Sequence, residues 1–214
     1  MTDIDEYVTR YSDPQPPELE RLYRHTHLTR LYPRMCCEPV QGRLLKMLTT
    51  MIRPQRILEL GTFSGYSTLC FAEGMPSGAE IHTLEIDDEA EPELSELFAA
   101  SDRAADIHLH IGDAMDIVPL ISGDPWDLVY IDANKRQYTD YYRMVKPLMA
   151  PGGYILADNT LWSGKVLEPE ANHDAQTRGV DAFNRLVAGD TDVEKVMIPL
   201  RDGLTLIRIK PAER

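Results

Sequence analysis

The side chains with the clearest chemical potential follow two apolar runs of the sequence. Asp132 comes directly after the run 128–131, and Asp158-Asn159 comes directly after the run 154–157. Because adjacent parallel strands end at the same edge of a sheet, we expect these three side chains to lie side by side. Carboxylate and amide oxygens suit hard cations. The sequence therefore predicts a divalent-cation site, with Mg²⁺ as the first expectation and Mn²⁺ or Ca²⁺ as alternatives.

A lysine stands close to the predicted cation site. Lys135 lies three residues after Asp132, so we expect its side chain to reach the same site. It is predicted to act there as a base, because a nearby cation disfavours the charged form of the lysine. The alternative is that Asp132 and Asp158 are ordinary strand-terminal caps and that Lys135 is solvated. Two aspartates at strand ends, one followed by a lysine and the other by an asparagine, favour the chemical interpretation.

The turn after the first predicted strand indicates which cofactor the sheet binds. A phosphate-binding loop ends in Gly-Lys-Ser/Thr, which this turn, residues 61–65, does not contain. A dinucleotide turn has the pattern G-x-G-x-x-G, but here Phe63 occupies the position of the middle glycine. The Phe63 side chain would therefore occupy the space that a diphosphate needs.

Two carboxylates near this turn favour a cofactor without phosphate. Glu59 lies beside the turn, where it would repel a diphosphate but suits the ammonium group of S-adenosylmethionine. The cofactor's carboxylate suits the helix N-terminus at Tyr66 and Ser67. Glu85 ends the second predicted strand, from which an acid accepts hydrogen bonds from ribose hydroxyls. We therefore expect an S-adenosylmethionine site.

These residues need an α/β scaffold to position them. Short apolar runs bounded by Gly, Pro or Asp predict seven strands: Arg56 to Leu60, Glu80 to Glu85, Ile107 to Ile111, Leu128 to Ile131, Tyr154 to Ala157, Val193 to Ile198 and Leu204 to Ile209. Amphipathic stretches predict helices between the first five: Tyr66 to Glu73, Glu91 to Ala99, Met115 to Ile121 and Tyr138 to Met149.

This alternation predicts a doubly wound, mostly parallel, Rossmann-like α/β sheet. The last two strands are joined only by Pro199 to Gly203, which is too short for a parallel crossover, so we expect an antiparallel C-terminal hairpin. Two further helices, Glu18 to Leu31 and Gln41 to Ile52, precede the sheet. We expect residues 1–214 to form a single domain, with residues 1–52 as an N-terminal helical extension.

Composition excludes several functional classes. The chain has 22 Lys and Arg residues against 35 Asp and Glu residues, a formal net charge of −13. Such an acidic protein lacks the basic surface that neutralises phosphates, so nucleic acid and anionic membranes are unfavourable partners. Three cysteines form neither a disulfide framework nor the paired spacing of a zinc site. No signal peptide or membrane span is apparent, so we expect a cytoplasmic protein.

Two histidines alternate with apolar residues on the third predicted strand. His108 and His110 stand between Ile107, Leu109 and Ile111. Side chains alternate between the two faces of a strand, so the histidines are interpreted as its polar face.

The chain resembles a known family at the residues discussed above. From about Arg34 to the C-terminus it is similar to the cation-dependent caffeoyl-CoA and catechol O-methyltransferases, which have the class I S-adenosylmethionine fold, and in particular to their bacterial members. The similarity is closest in four segments: Glu59-Leu60-Gly61 with Gly65-Tyr66-Ser67, Ile131 to Lys135, Asp158 to Trp162, and Asp202 to Leu206.

The resemblance implies a role for each matching residue. It assigns the metal to Asp132, Asp158 and Asn159, and catalysis to Lys135 as the base, with Asp132 beside it. The implied contacts of S-adenosylmethionine are Met35, Cys37, Glu59, Gly61, Thr62, Ser67, Glu85, Ala114, Asp132 and Asn134. Trp162 is expected to line the acceptor pocket, Arg178 to contact an anionic acceptor tail, and residues 1–52 to cover that pocket. The family also implies a homodimer.

The implied reaction is methylation of a small phenolic acceptor. A catechol binds the cation through both oxygens, Lys135 takes the hydroxyl proton, and the phenolate attacks the sulfonium methyl. Two departures concern the pocket: Cys36-Cys37 stands where plant members have Thr or Ser, and Asn134 where they have a second aspartate.

Three other functions stay open. A methyltransferase acting on a hydroxylated tRNA base is opposed by the net charge of −13. A noncatalytic S-adenosylmethionine-binding protein is opposed by the combination of Asp132, Lys135, Asp158 and Asn159. A NAD-linked oxidoreductase is opposed by Phe63 in the glycine turn.

Overall fold

The computed structural model describes residues 3–211. The chain divides into two units, which are described separately below. The first unit consists of Met1–Gln55 and Thr62–Ile111, and the second of Arg56–Gly61 and Gly112–Arg214. Among the described residues, every helix is too short or too polar to cross a membrane.

The strands confirm the predicted α/β sheet. They are β1 (Arg56–Leu60), β2 (Glu80–Glu85), β3 (Ile107–Ile111), β4 (Trp126–Ile131), β5 (Met149–Asp158), β6 (Val193–Ile198) and β7 (Leu204–Ile209). Their order in the seven-stranded sheet is β3-β2-β1-β4-β5-β7-β6. The pairs β2–β3, β1–β4 and β4–β5 are parallel, whereas β5–β7 and β6–β7 are antiparallel. The predicted hairpin is therefore confirmed.

The described residues of the first unit form β2, β3 and five α-helices, besides shorter 3₁₀ turns: α1 (Asp3–Arg10), α2 (Pro17–Thr29), α3 (Pro39–Ile52), α4 (Tyr66–Gly74) and α5 (Glu91–Ala99). Proline occupies the first turn of α2, α3 and α5, where its missing N–H costs no hydrogen bond. In the parallel pair β2–β3, Ile81 lies opposite Ile107 and Glu85 opposite Ile111.

The described residues of the second unit form β1, β4, β5, β6 and β7 with three α-helices, α6 (Ala114–Ile121), α7 (Tyr138–Val145) and α8 (Ala175–Gly189), and shorter 3₁₀ helices that include Lys135–Gln137. Leu60 pairs with Ile131, and Ile131 pairs with Ala157, so β1, β4 and β5 end at the same level. This alignment brings the residues after β4 and β5 to one edge, as the sequence predicts.

Helix α8 has no counterpart in the prediction. Its buried residues Val180, Phe183 and Val187 follow the three- and four-residue spacing of a helix, and Asp174 caps it by accepting hydrogen bonds from Thr177. Helix α1 was also not predicted. The predicted helix Tyr138 to Met149 is too long, because α7 ends at Val145 and β5 already begins at Met149.

Candidate active site

Lys135 lies at the centre of a hydrogen-bonded cluster in the second unit. Its side chain is buried, with the residue 8% exposed. The Nζ atom lies 2.7 Å from Oδ1 of Asp132 and also donates a hydrogen bond to the hydroxyl of Tyr138. A lysine with so little exposure and two oxygen partners has a fixed position, so its nitrogen is directed at one point of the site.

Tyr138 links the ends of two neighbouring strands. Its hydroxyl lies 3.1 Å from the carbonyl oxygen of Ile131 at the end of β4 and 2.9 Å from that of Asp158 at the end of β5. Burial raises the pKa of Tyr138 well above its ordinary value, so the hydroxyl keeps its proton and remains a donor to these carbonyls. Sequence reasoning missed this residue, although it follows Lys135 by three positions.

Asp158 is the more deeply buried of the two candidate metal-binding aspartates, at 2% exposure. The Tyr130 hydroxyl donates to its Oδ2 atom at 2.9 Å, and the backbone N–H of Asn159 donates to its Oδ1 atom at 2.9 Å. Both oxygens of this carboxylate are therefore held in a fixed orientation at the end of β5.

The electrostatics of Asp132 fit a bound cation. Burial raises the pKa of this carboxyl and the negative charge of Asp158 raises it further, while Lys135 acts in the opposite direction. Two buried carboxylates in mutual repulsion are stabilised in their charged form by a positive ion. Together with Asn159 after Asp158, the donor set matches the oxygen ligands of Mg²⁺ or Ca²⁺.

Two glycines allow the backbone to approach this cluster closely. A Cβ atom on Gly61 would lie 2.3 Å from the carbonyl oxygen of Asp132, and one on Gly179 would lie 2.3 Å from that of Lys135. Gly179 belongs to α8, so this helix packs directly on the backbone of the candidate base. Gly179 could not be predicted from the sequence, because its role depends on helix α8, which was not predicted either.

Trp162 lies close to the candidate base. Its ring centroid is 5.9 Å from Nζ of Lys135. Its Nε1 atom is buried and has no hydrogen-bond acceptor within residues 3–211. The preceding loop is fixed by backbone bonds from Thr160 to Gly203 at 3.1 Å and from Leu161 to Asp202 at 2.8 Å. Trp162 thus lies beside Lys135, and its role as a wall of the acceptor pocket stays a prediction.

Arg178 is occupied in another contact. It is exposed, and its guanidinium donates to the carbonyl oxygen of His173 just before α8. This bond fixes the entry to the helix. Contact with an anionic acceptor tail stays a prediction for this residue.

The predicted cofactor residues of the second unit differ in exposure. Glu59 is fully buried on β1, and Ala114 is the buried first residue of α6. Asn134 is exposed: its Oδ1 accepts from the N–H of Arg136 at 3.2 Å, and its Nδ2 donates to Gln137 at 3.1 Å. Asn134 therefore caps the short helix that carries Lys135.

Two predicted cofactor residues of the first unit, Thr62 and Glu85, are held by hydrogen bonds. The Thr62 hydroxyl lies 2.6 Å from that of Thr83 on β2. The carboxylate of Glu85 accepts hydrogen bonds from the N–H of Phe63 at 2.7 Å and from that of Asp87 at 3.0 Å. Glu85 is thus fixed at the end of β2 with acceptor positions left over.

Helix α4 offers an N-terminus without a side-chain cap. It begins at Tyr66 after Gly65, which makes no side-chain cap bond. Ser67 lies in its first turn and is 9% exposed. The first N–H groups of a helix have no partner within the helix and attract anions. This position suits the carboxylate that the sequence analysis assigns to it.

The predicted lid residues differ in exposure. Met35 is exposed in a short helix, Pro33–Met35, whereas Cys37 is buried and its thiol lies 3.6 Å from the carbonyl oxygen of Glu38. The neighbouring Cys36 is also buried, with its sulfur 3.7 Å from the Ser64 hydroxyl. Closure of this segment over a cofactor stays a prediction.

Comparison with known proteins agrees with the resemblance. A family model described as O-methyltransferase matches residues 9–210. A catechol O-methyltransferase of Niastella koreensis is 31% identical over 186 residues, covering 83% of this chain and 84% of the relative. A caffeoyl-CoA O-methyltransferase of Stellaria longipes is 29% identical over 204 residues, covering 90% of this chain and 85% of the relative.

A solved structure shows the same fold. The O-methyltransferase TomG from Streptomyces achromogenes, involved in tomaymycin synthesis and crystallised with SAM, matches with a TM-score of 0.89 and 28% sequence identity. The match covers 98% of this chain and 100% of that chain.

Proposed function

The chain belongs to the O-methyltransferase family, and from this premise we propose that it methylates a hydroxyl of a small catechol-like acceptor with the aid of a divalent cation. Its relatives and structural neighbours indicate an S-adenosylmethionine-dependent O-methyltransferase. The named relatives act on a catechol and on caffeoyl-CoA, and both acceptors carry phenolic hydroxyls.

One observation carries this proposal. A buried lysine nitrogen lies 2.7 Å from a carboxylate that belongs to the candidate ligand set. A base placed against a metal ligand is positioned to take a proton from an acceptor that binds the same metal. Asp132, Asp158 and Asn159 would hold the cation. When bound, a divalent cation supplies Lewis acidity, which lowers the pKa of an acceptor hydroxyl.

The residues of this chain then move one proton. Asp132 and Tyr138 orient the Lys135 side chain, whose amine accepts the proton of the acceptor hydroxyl. Trp162 lies beside the amine and limits the acceptor's position on that side. Burial of these groups excludes water, which favours a reaction in which opposite charges cancel.

Methyl transfer follows deprotonation. The phenolate oxygen forms a bond to the methyl carbon as the bond between that carbon and the sulfonium sulfur breaks, which leaves S-adenosylhomocysteine and a protonated Lys135. Within the second unit, we assign the cofactor's ammonium to Glu59 and its adenine to Ala114.

The decisive experiment is a metal-dependence assay. Enzyme treated with EDTA is incubated with S-adenosylmethionine and either a catechol or a caffeoyl ester, and Mg²⁺, Mn²⁺ or Ca²⁺ is then restored singly. We expect activity only with added cation. Asp158→Ala should abolish it while S-adenosylmethionine binding, measured by calorimetry, persists.

The matched control is Asp192→Ala, which removes a surface carboxylate paired with Lys146. It should behave like the wild type. Equal activity with and without EDTA would refute the cation's role. Loss of S-adenosylmethionine binding in Asp158→Ala would instead show that Asp158 serves the fold or the cofactor.

A further inference from the structure

A second cluster of potential metal ligands lies in the first unit, in the body of the strands rather than at their ends. In the parallel pair β2–β3, His82 lies opposite His108, and Leu84 lies opposite His110. Side chains two residues apart share one face of a strand, so Glu80 and His82 lie on the same face of β2. The register therefore collects one carboxylate and three imidazoles on one face of two strands.

The distances within this cluster match the edges of a metal coordination polyhedron. The Nε2 atom of His82 lies 3.3 Å from Oε1 of Glu80, and the Nε2 atom of His108 lies 3.6 Å from Oε2 of Glu80. One ligand atom from each residue fits within a span of 4.8 Å. Ligands about 2.0–2.2 Å from a tetrahedral Zn²⁺ lie roughly 3.3–3.6 Å from one another. Small side-chain movements would close the set around one ion.

His110 supports the orientation of the His82 ring. Its Nε2 atom lies 2.9 Å from Nδ1 of His82, and the two rings are stacked with an interplanar angle of 8°. A metal-binding imidazole ordinarily donates its other N–H to a neighbouring acceptor, which fixes its tautomer. With an ion bound, Nδ1–H of His82 would donate to Nε2 of His110, and the lone pair on Nε2 of His82 would be available to the ion.

Burial and access are both compatible with binding. The side chain of His82 is 13% exposed, so its imidazole is held in place beside Glu80. The side chains of His108 and Glu80 are 41% and 38% exposed, which leaves an approach from solvent.

We propose that Glu80, His82 and His108 bind a divalent transition-metal ion of the Zn²⁺ type, with a fourth position for water. Imidazole ligands favour Zn²⁺, Co²⁺, Ni²⁺ or Cu²⁺ over Mg²⁺ and Ca²⁺, which prefer all-oxygen sites. The ion would join β3 to β2 and stabilise this part of the first unit, because a ligand that binds only the folded state raises its stability. This site is independent of the methyl-transfer proposal.

Cobalt absorption provides a direct test. Metal-free protein is titrated with Co²⁺ in a large excess of Mg²⁺, which occupies the oxygen site formed by Asp132, Asp158 and Asn159. We expect one equivalent of Co²⁺ to give visible d–d bands of low-symmetry coordination, and Zn²⁺ to displace it. His108→Gln and Glu80→Gln should each weaken binding more than tenfold.

The matched control is His25→Gln. His25 forms an exposed pair with Glu93 at 3.6 Å, a single histidine beside a single carboxylate. This variant should keep the wild-type affinity for Co²⁺ and the Zn²⁺-induced rise in Tm. Circular dichroism and S-adenosylmethionine binding check that each variant is folded.

Two outcomes would overturn the proposal. One is the absence of stoichiometric Co²⁺ or Zn²⁺ binding by the wild type at micromolar concentrations. The other is an unchanged affinity in both His108→Gln and Glu80→Gln. Because binding is measured without turnover, failure here would leave the methyltransferase proposal intact, and loss of methyl transfer would leave this one intact.

Discussion

Two polar clusters of this protein use neighbouring parallel strands in different ways. The lysine cluster, formed by Asp132, Lys135 and Asp158, lies where β4 and β5 end. The histidine cluster, formed by Glu80, His82, His108 and His110, lies within β2 and β3. Strand ends pass into loops whose backbone adopts special conformations, such as Asn159 with φ 55°. Residues within strands have only their register to bring them together.

The ligand chemistry differs as well. The lysine cluster offers oxygens and a base that shares a hydrogen bond with one of them. The histidine cluster offers three imidazoles beside one carboxylate. Hard cations suit the first set and transition metals suit the second. Two metal preferences are thus expected in one α/β chain.

The largest effect should come from Lys135→Met. If Lys135 is the base, its loss should lower kcat by roughly 10²–10⁴-fold, with little change in S-adenosylmethionine binding. Lys146→Met, which removes a lysine paired with Asp190 and Asp192, is the matched control and should keep kcat. His108→Gln should also keep kcat in Mg²⁺. A comparable loss of kcat in Lys146→Met or His108→Gln would contradict the assignment of catalysis to the lysine cluster alone.

Gly179→Ala should give the next largest effect. The added Cβ would lie 2.3 Å from the carbonyl oxygen of Lys135. This oxygen belongs to the backbone, which cannot shift to relieve the clash as the end of a flexible side chain could. We expect a loss of about 1–3 kcal/mol in unfolding free energy together with a lower kcat. Gly189→Ala lies in the same helix with open space around it and should show neither change. Thermal unfolding and steady-state kinetics measure both, and wild-type values for Gly179→Ala would contradict the packing argument.

Tyr138→Phe tests the link between the strand ends. It removes a buried hydroxyl that accepts from Lys135 and donates to backbone carbonyls, which should cost about 1–3 kcal/mol. Tyr142→Phe, which removes a hydroxyl bonded to Asp190, should destabilise similarly. Only Tyr138→Phe should shift the pH profile of kcat/KM. If both variants shift the pH profile of kcat/KM equally, the shift results from general destabilisation and not from the Tyr138 hydroxyl.

The smallest effect concerns the cap of α8. Hydrogen bonds from the N–H and the hydroxyl of Thr177 lower the pKa of Asp174 from 3.8 to about 2. The folded-state pKa lies below the unfolded one, so this stabilisation is complete above pH 3.8 and is lost as pH falls through about 2. Asp174→Ala should therefore lower Tm slightly at pH 7, and Asp174→Asn, which can still cap the helix, should restore most of it. An Asp174→Ala protein with wild-type Tm would show that the cap contributes nothing.

The sequence predicted the lysine cluster because its information is local. Asp132 and Lys135 lie within four residues, Asp158 and Asn159 are adjacent, and each group directly follows an apolar run. The bounds of five strands were predicted correctly, since Gly, Pro and Asp mark the ends of the apolar segments, whereas β4 and β5 begin earlier than predicted, at Trp126 and Met149. Tyr138, which bonds to Lys135, was missed, because this contact depends on the direction in which the chain runs after the short helix Lys135–Gln137.

The histidine cluster was only half visible. The alternation on β3 correctly predicted that His108 and His110 share a face, but their partners Glu80 and His82 lie on a different strand. Which residue lies opposite His108 depends on the register of β2 and β3, and a shift of one residue would move every side chain to the other face. Register between distant strands results from packing of the whole unit and has no short motif. Gly179 was missed for a similar reason, since helix α8 itself was not predicted.

The bonds around the loop after β5 join the wall beside Lys135 to the end of the chain. The amides of Thr160 and Leu161 donate to carbonyls of the β6–β7 turn, and the hydroxyl of Thr205 bonds that of Thr160 at 2.9 Å. In hydrogen exchange, these two amides can become accessible only when the turn separates from the loop, so they should exchange together with the amides of the hairpin. A Thr205→Val substitution, which removes the hydroxyl bond to Thr160, should therefore loosen the loop that carries Trp162, more than forty residues earlier in the sequence.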